Sequence, residues 1–146
     1  MYSFYSRYPI LGIAGVTEGV ELSADLENQF ALKKYEAEVA QEDGTDKLME
    51  IDEVNAMKLL MGSPVGFRPS GGIRINQVKY QFLRGMEDHV SKCNTILGKK
   101  GKTGCVLSCT NTVIVIATYD EMAGHNGAAC ATTVSDLCNN LCKSGY

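Results

Sequence analysis

Few residue types in this chain could carry chemistry: two histidines, six cysteines and one basic turn. His89 and His125 stand apart, and neither falls in a metal-ligand spacing such as H-E-x-x-H. Cys93, Cys105, Cys109, Cys130, Cys138 and Cys142 contain no C-x-x-C pair, so a zinc knuckle has no support. Their even number would suit disulfides in an oxidising compartment. The start, Met1 to Ile10, lacks both a charged n-region and a long apolar h-region, so no signal peptide is expected and a reducing cytosol keeps the thiols free. Cys105 and Cys109 share one face of a strand, and Cys130, Cys138 and Cys142 lie on or near one stripe of a helix, which reads as small core hydrophobes. Neither a G-x-S-x-G elbow nor a G-x-x-x-x-G-K-[ST] loop is present. A Cys–His nucleophile pair would meet only in the fold, and no motif points to one. Gly98-Lys99-Lys100-Gly101 is too short to wrap a phosphate as a P-loop does, yet it offers a basic turn able to touch a phosphate or a carboxylate. No enzymatic activity, metal or cofactor is expected.

The charge is segregated along the chain. Glu18 to Lys58 holds twelve acidic and four basic residues, a balance of −8, whereas Arg68 to Lys102 holds eight basic and two acidic, a balance of +6. Such a chain can turn a basic face to an acidic partner: an acidic protein, a phosphoinositide headgroup or nucleic acid. The plainer reading is that the lysines solubilise strand edges. A pI of about 5.4 argues against a dedicated nucleic-acid binder. With 146 residues, the chain is expected to form one domain, 1–146, large enough for a real core. Its longest strongly apolar run, Val113 to Ala117, is far short of the ~20 residues of a membrane span, so a soluble cytoplasmic monomer is expected.

The elements that must position these residues follow from period and punctuation. Ile10 to Val16, Thr17-Glu18-Gly19 and Val20 to Ala24 read as strand, turn, strand. Ser23 to Ala40 has helical composition, and the polar, acidic stretch Glu36 to Lys47, broken by Gly44, reads as a surface loop or insertion. Ile51 to Met61 is a helix with Asp52 as N-cap and Val54, Met57, Leu60 and Met61 as its apolar stripe, stopped at Gly62-Ser63-Pro64. Five short strands then follow: Gly72–Ile75, Val78–Arg84, Val90–Leu97, Gly104–Thr110 and Thr112–Tyr119. Their short connections favour an antiparallel meander. Val113–Ala117 lacks alternation and should be central, buried on both faces. Ala128 to Lys143 is a closing helix whose buried face is Cys130, Val134, Leu137, Cys138 and Leu141. The fold class is α+β: a central antiparallel sheet flanked by N-terminal or middle helices and a long C-terminal helix.

The order of several local patterns resembles the profilin family. Val78-Lys79-Tyr80-Gln81-Phe82-Leu83-Arg84-Gly85 is similar to a family strand. Ile96-Leu97-Gly98-Lys99-Lys100-Gly101 resembles the family's basic I-R-G-K-K-G turn. Thr110-Asn111-Thr112, Val113–Ile116 and Thr118-Tyr119-Asp120-Glu121 resemble the strand that ends in Y-D-E, and Leu141 to Tyr146 resembles the end of the last helix. Ile10 to Ala24 resembles the early hairpin, with Thr17-Glu18-Gly19 in place of a D-G turn. The matches run from Ile10 to Tyr146 and are densest after Gly71. Each alone is soft; order and spacing make them specific.

The resemblance implies a central antiparallel sheet with N- and C-terminal helices on one face. It implies a protein that binds actin monomers, promotes nucleotide exchange on them and regulates filament assembly in the cytoplasm and cytoskeleton. By position, the actin face would include Phe82, Arg84, Lys99, Lys100, His125, Thr132 and Asp136, with Thr132 standing where the family has a basic residue. Proline-rich proteins would meet aromatics that this tryptophan-free chain has largely replaced: Tyr2, Tyr5, Leu22, Asn140 and Tyr146 occupy that region, with Phe4 and Tyr8 nearby. A phosphoinositide surface would be met by Lys79, Lys99, Lys100 and Lys102. The alternative is a scaffold of the same fold that has lost actin and serves a phosphoinositide surface or another protein.

Overall fold

Along the strands Ile73–Ile75 and Val78–Glu87 the buried residues recur at every second position, Ile73, Ile75, Tyr80 and Phe82, and a two-residue turn pins their register. The computed structural model describes residues 10–14, 34–87, 94–110 and 114–145, with the backbone alone for 10–14 and Val54. The elements are β1 (Ile10–Ala14), β2 (Tyr35–Ala40), β3 (Asp46–Ile51), α1 (Glu53–Gly62), β4 (Ile73–Ile75), β5 (Val78–Glu87), β6 (Asn94–Lys100), β7 (Thr103–Cys109), β8 (Ile114–Asp120), a 3-10 turn (Glu121–Ala123) and α2 (Gly127–Lys143). Between β4 and β5, Asn76 and Gln77 both take positive φ, 50° and 67°. That conformation matches the twist of the flanking strands and closes a two-residue hairpin.

Strands β4 to β8 pair antiparallel in chain order, as the short connections predict, and β1 adds to β8 in parallel, giving the order β1-β8-β7-β6-β5-β4. Helices cover both faces. On one, Met57, Leu60 and Met61 of α1 pack with Ile73, Tyr80, Phe82, Ile96, Cys105, Leu107, Ile114 and Ile116. On the other, Cys130, Val134 and Cys138 of α2 pack on Val106, Val115 and Ala117. Strand β8 therefore sends alternate residues into both cores, which explains why its sequence shows no alternation. Each fully buried aliphatic side chain contributes about 1.5–3 kcal/mol of transfer free energy, so β7 and β8 anchor the molecule. Cys105, Cys130 and Cys138 are buried, and Cys105, Cys109 and Cys130 carry free thiols.

Several expectations need correction. Residues 35–40 and 46–51 are neither helix nor loop; only 41–45, around Gly44, form the expected exposed turn. Strands β2 and β3 form a separate antiparallel hairpin, with Tyr35, Ala37 and Val39 half-buried and Glu36, Glu38 and Ala40 exposed. A period of two was present, but the acidic composition obscured it. The expected α+β class with a central antiparallel sheet holds for β4 to β8, and β1 extends that sheet in parallel. The middle helix α1 and the closing helix α2 feed cores on opposite faces, which leaves the expected placing of N- and C-terminal helices on one face untouched. The second strand of the early hairpin (Val20–Ala24), the helical stretch before Lys34, His89 and Cys93 lie outside the described residues.

A carboxylate ties the hairpin to the sheet. Glu53, the first residue of α1, is 1% exposed. It accepts hydrogen bonds from the Tyr35 hydroxyl at 2.5 Å and from the backbone N–H groups of Asn76 and Gln77 at 2.7 and 2.6 Å. Three donors replace the water that a buried carboxylate would otherwise lose. At the same helix end, the Asp52 side chain caps the Asn55 N–H at 2.9 Å.

Candidate functional site

On the face of the sheet that carries α2, the helix lies over β7 and β8 and reaches Leu97 of β6, while Gln81 and Arg84 of β5 are exposed. Cross-strand register decides which side chains emerge there. Gln81 pairs with Lys99, Lys99 with Gly104, and Gly104 with Tyr119, so these four share the face. Arg84 joins it through a β-bulge. The register shifts between Phe82 and Arg84, so Phe82 opposes Gly98 and Arg84 opposes Leu97. An uninterrupted strand would put Phe82 and Arg84 on the same side. The extra residue, Leu83, turns Arg84 out to solvent beside the core residue Leu97 while Phe82 stays inside at 7% exposure. The expectation that both side chains stand on one exposed face is corrected accordingly: Phe82 is buried, and the Arg68 guanidinium lies 5.4 Å from its ring centroid.

Around this cation–π contact runs an open groove of about 570 Å³. Arg68, Lys79, Lys99, Lys100, Gln81 and Ser70 are among its lining residues, and among the described residues no carboxylate lines it. Lys99 is not an idle cation. Its ammonium donates to Glu121 Oε1 at 2.9 Å, and Lys102 approaches Glu121 Oε2 at 3.7 Å. The hydrogen bond from Lys99 holds the Glu121 carboxyl below its ordinary range, and the same bond raises Lys99. Lys79 and Lys100 are exposed.

The turn bearing Glu121 is built to hold it. Its own N–H donates to the Lys102 carbonyl at 2.9 Å, and the Asp120 side chain caps Met122 N–H at 2.8 Å. His125 closes the loop: its Nδ1 accepts from Asp120 N–H at 3.0 Å, and its own N–H donates to the Asp120 carbonyl at 3.1 Å. The neutral ring then carries its proton on Nε2. The Tyr119 ring lies over both Gly104 and Gly127, where an added Cβ would come within 2.2 and 2.8 Å of it. Only glycine permits this approach, which seats the first residue of α2 against the sheet. Burial raises the Tyr119 hydroxyl above its usual range.

On α2, Thr132, Asp136 and Asn140 are exposed along a single i, i+4, i+8 stripe. The Thr132 hydroxyl donates to the Ala128 carbonyl at 3.0 Å. The structure places Arg84 and Lys99 on the α2 face of the sheet, Lys100 at the end of β6 and His125 in the loop before α2, and places Asn140 in line with Thr132 and Asp136. Tyr2, Tyr5, Leu22 and Tyr146 lie outside the described residues. Sequence reasoning passed over Arg68 and Glu121 as site residues; the register of β6 to β8 points to Glu121, whereas Arg68 lies in a loop that no strand register places. Among the described residues, no group of three or more His, Cys, Asp or Glu side chains could hold a metal ion, and no helix is long and apolar enough to cross a membrane.

Comparison with known proteins bears on these elements directly. The profilin family model matches residues 29–146, which include every described element after β1. Profilin-1 of Dictyostelium discoideum is 36% identical over 75 residues, 51% of this chain and 53% of that protein, so the likeness spans about half the length of each. With a family match across most of its length and a meander, basic turn and closing helix in the matching order, the chain belongs to the profilin family.

Proposed function

We propose that this protein binds actin monomers through the β5–β6 face and the exposed stripe of α2, and thereby regulates filament assembly and nucleotide exchange on actin. Family membership over residues 29–146 carries this reading, because the matched region holds every residue of the basic face. Arg84, Lys100, His125, Thr132 and Asp136 meet the partner; Lys99 joins from its ion pair, and Phe82 acts from beneath by holding Arg68. The role is binding and not catalysis. A stable complex would bury roughly 1,600 Å² in total or more. Sedimentation of the purified protein with monomeric actin tests it. A one-to-one complex that Arg84→Glu weakens, in a variant that still melts cooperatively, supports the face. No complex at concentrations of tens of micromolar would overturn the reading.

The basic groove favours a second ligand. Lys79, Lys99 and Lys100 line it with Arg68 and, among the described residues, no acid, a setting suited to a phosphoinositide headgroup, with Lys102 following in the same turn. Each exposed lysine near an anionic membrane contributes about 1 kcal/mol, so binding should vanish with added salt. Vesicle co-sedimentation with and without phosphoinositide distinguishes the two partners. A proline-rich partner would call on Asn140 from α2, and titration with a polyproline peptide against Asn140→Ala checks that use.

A further inference from the structure

We infer that Glu121 is a specificity-determining residue, an internal carboxylate that occupies the cation an acidic partner must engage. This inference rests on the proposed docking of an acidic protein at the β5–β6 face. Lys99 lines the groove, but its ammonium is already hydrogen-bonded at 2.9 Å to Glu121, which also draws Lys102 to 3.7 Å. The carboxylate is held by its backbone: Glu121 N–H is bonded to the Lys102 carbonyl, and Gly124 N–H to the Glu121 carbonyl. The side chain therefore returns to the same two lysines whenever the face is empty.

The pair is poised to exchange. Lys99 and Glu121 side chains are 39% and 32% exposed, so solvent and an incoming group reach both. An ion pair this open is weak and salt-screened. A partner carboxylate that becomes desolvated on docking can take Lys99 from it, whereas a partner with no acid at this point finds the cation already neutralised. Glu121 thus lowers affinity for every acidic ligand slightly and rejects poorly aligned ones.

Removing the carboxylate should tighten binding. With monomeric actin as partner, Glu121→Gln is expected to lower Kd about two- to fivefold at low ionic strength, the worth of one exposed pair, and less at moderate salt. The gain must pass through Lys99, so it should largely disappear in a Lys99→Met background. A peptide of consecutive glutamates, titrated by NMR against the same four proteins, gives a readout that does not depend on actin. If the wild type fails to bind actin but the peptide cycle shows the Lys99-dependent gain, the actin reading falls and the role of Glu121 stands. If Glu121→Gln binds both partners as the wild type does or more weakly, Glu121 only orients Lys99 and the inference is overturned. An equal gain with Lys99→Met would mark a general field effect and overturn it as well.

Discussion

Glu53 offers the sharpest test of how this fold holds its parts. The carboxylate is 1% exposed, has no cationic partner among the described residues, and accepts from Tyr35, Asn76 and Gln77 at 2.5–2.7 Å. Hydrogen bonds to a charged acceptor contribute about 1.5–3 kcal/mol each, which would sum to roughly 5–9 kcal/mol if every donor were stranded. Asn76 and Gln77 are exposed, so their N–H groups regain water once the carboxylate is gone. Glu53→Ala should therefore cost about 2–4 kcal/mol of unfolding free energy. Glu53→Gln keeps the shape and one good acceptor but turns a donor toward N–H groups, and should cost about 1.5–3 kcal/mol. Tyr35→Phe removes one donor and should cost about 1–2 kcal/mol. Urea unfolding of the three variants, with unchanged m-values, gives the comparison. A loss below about 1 kcal/mol for Glu53→Ala would refute the view that this group ties β2, α1 and the β4–β5 turn together.

Other outcomes follow from the same geometry. Gly104→Ala puts a Cβ 2.2 Å from the Tyr119 ring and should cost about 1–3 kcal/mol, measured by chemical denaturation. In a Tyr119→Ala background most of that cost should vanish, since the two sites share one contact. Burial, then the bond to Glu53, pushes the Tyr35 hydroxyl up to about 12, and burial pushes the Cys105 and Cys130 thiols up to about 12 and about 11. These groups stay protonated in the native state after they ionise in the unfolded chain, so they favour folding fully at neutral pH and lose that contribution as the pH climbs through their folded values. Under reducing conditions the urea midpoint should fall steadily above about pH 9; a flat or rising profile would contradict it.

The strands of the second half were legible because half-buried strands leave period-two runs and the doubly buried β8 a continuous apolar one, with turn residues between them, and Asp52 and the stripe of Met57, Leu60 and Met61 marked α1 for the same kind of reason. Two features were hidden. The β2–β3 hairpin buries only one face, against little, and carries Glu36 directly opposite Glu50. Like charges facing each other are unfavourable in a ladder, so composition argued for a loop; Lys34, 3.0 Å from Glu50, offsets the repulsion. The bulge at Leu83 was the second. One extra residue changes no composition, yet it moves Arg84 from the side of Phe82 to the side of Leu97. The partners of Lys99 and Lys102 were likewise beyond reach, because Glu121 meets them only once β6, β7 and β8 are in register.

The basic stretch does not present its charges equally, and that inequality can be measured. Arg68 is stacked on Phe82, Arg74 reaches the Glu38 carbonyl at 3.4 Å, and Lys99 and Lys102 share Glu121. Lys100 sits between the last two in the turn, lines the groove, and has no ion pair among the described residues. An approaching carboxylate or phosphate meets Lys100 without displacing anything, whereas at Lys102 it competes with Glu121. Charge reversal should expose the difference: Lys100→Glu should weaken an acidic partner about three- to tenfold at low salt, and Lys102→Glu distinctly less. Both substitutions change the net charge alike, so equal losses in a direct titration would mean that the face acts through its summed field and not through the pairing that the structure displays.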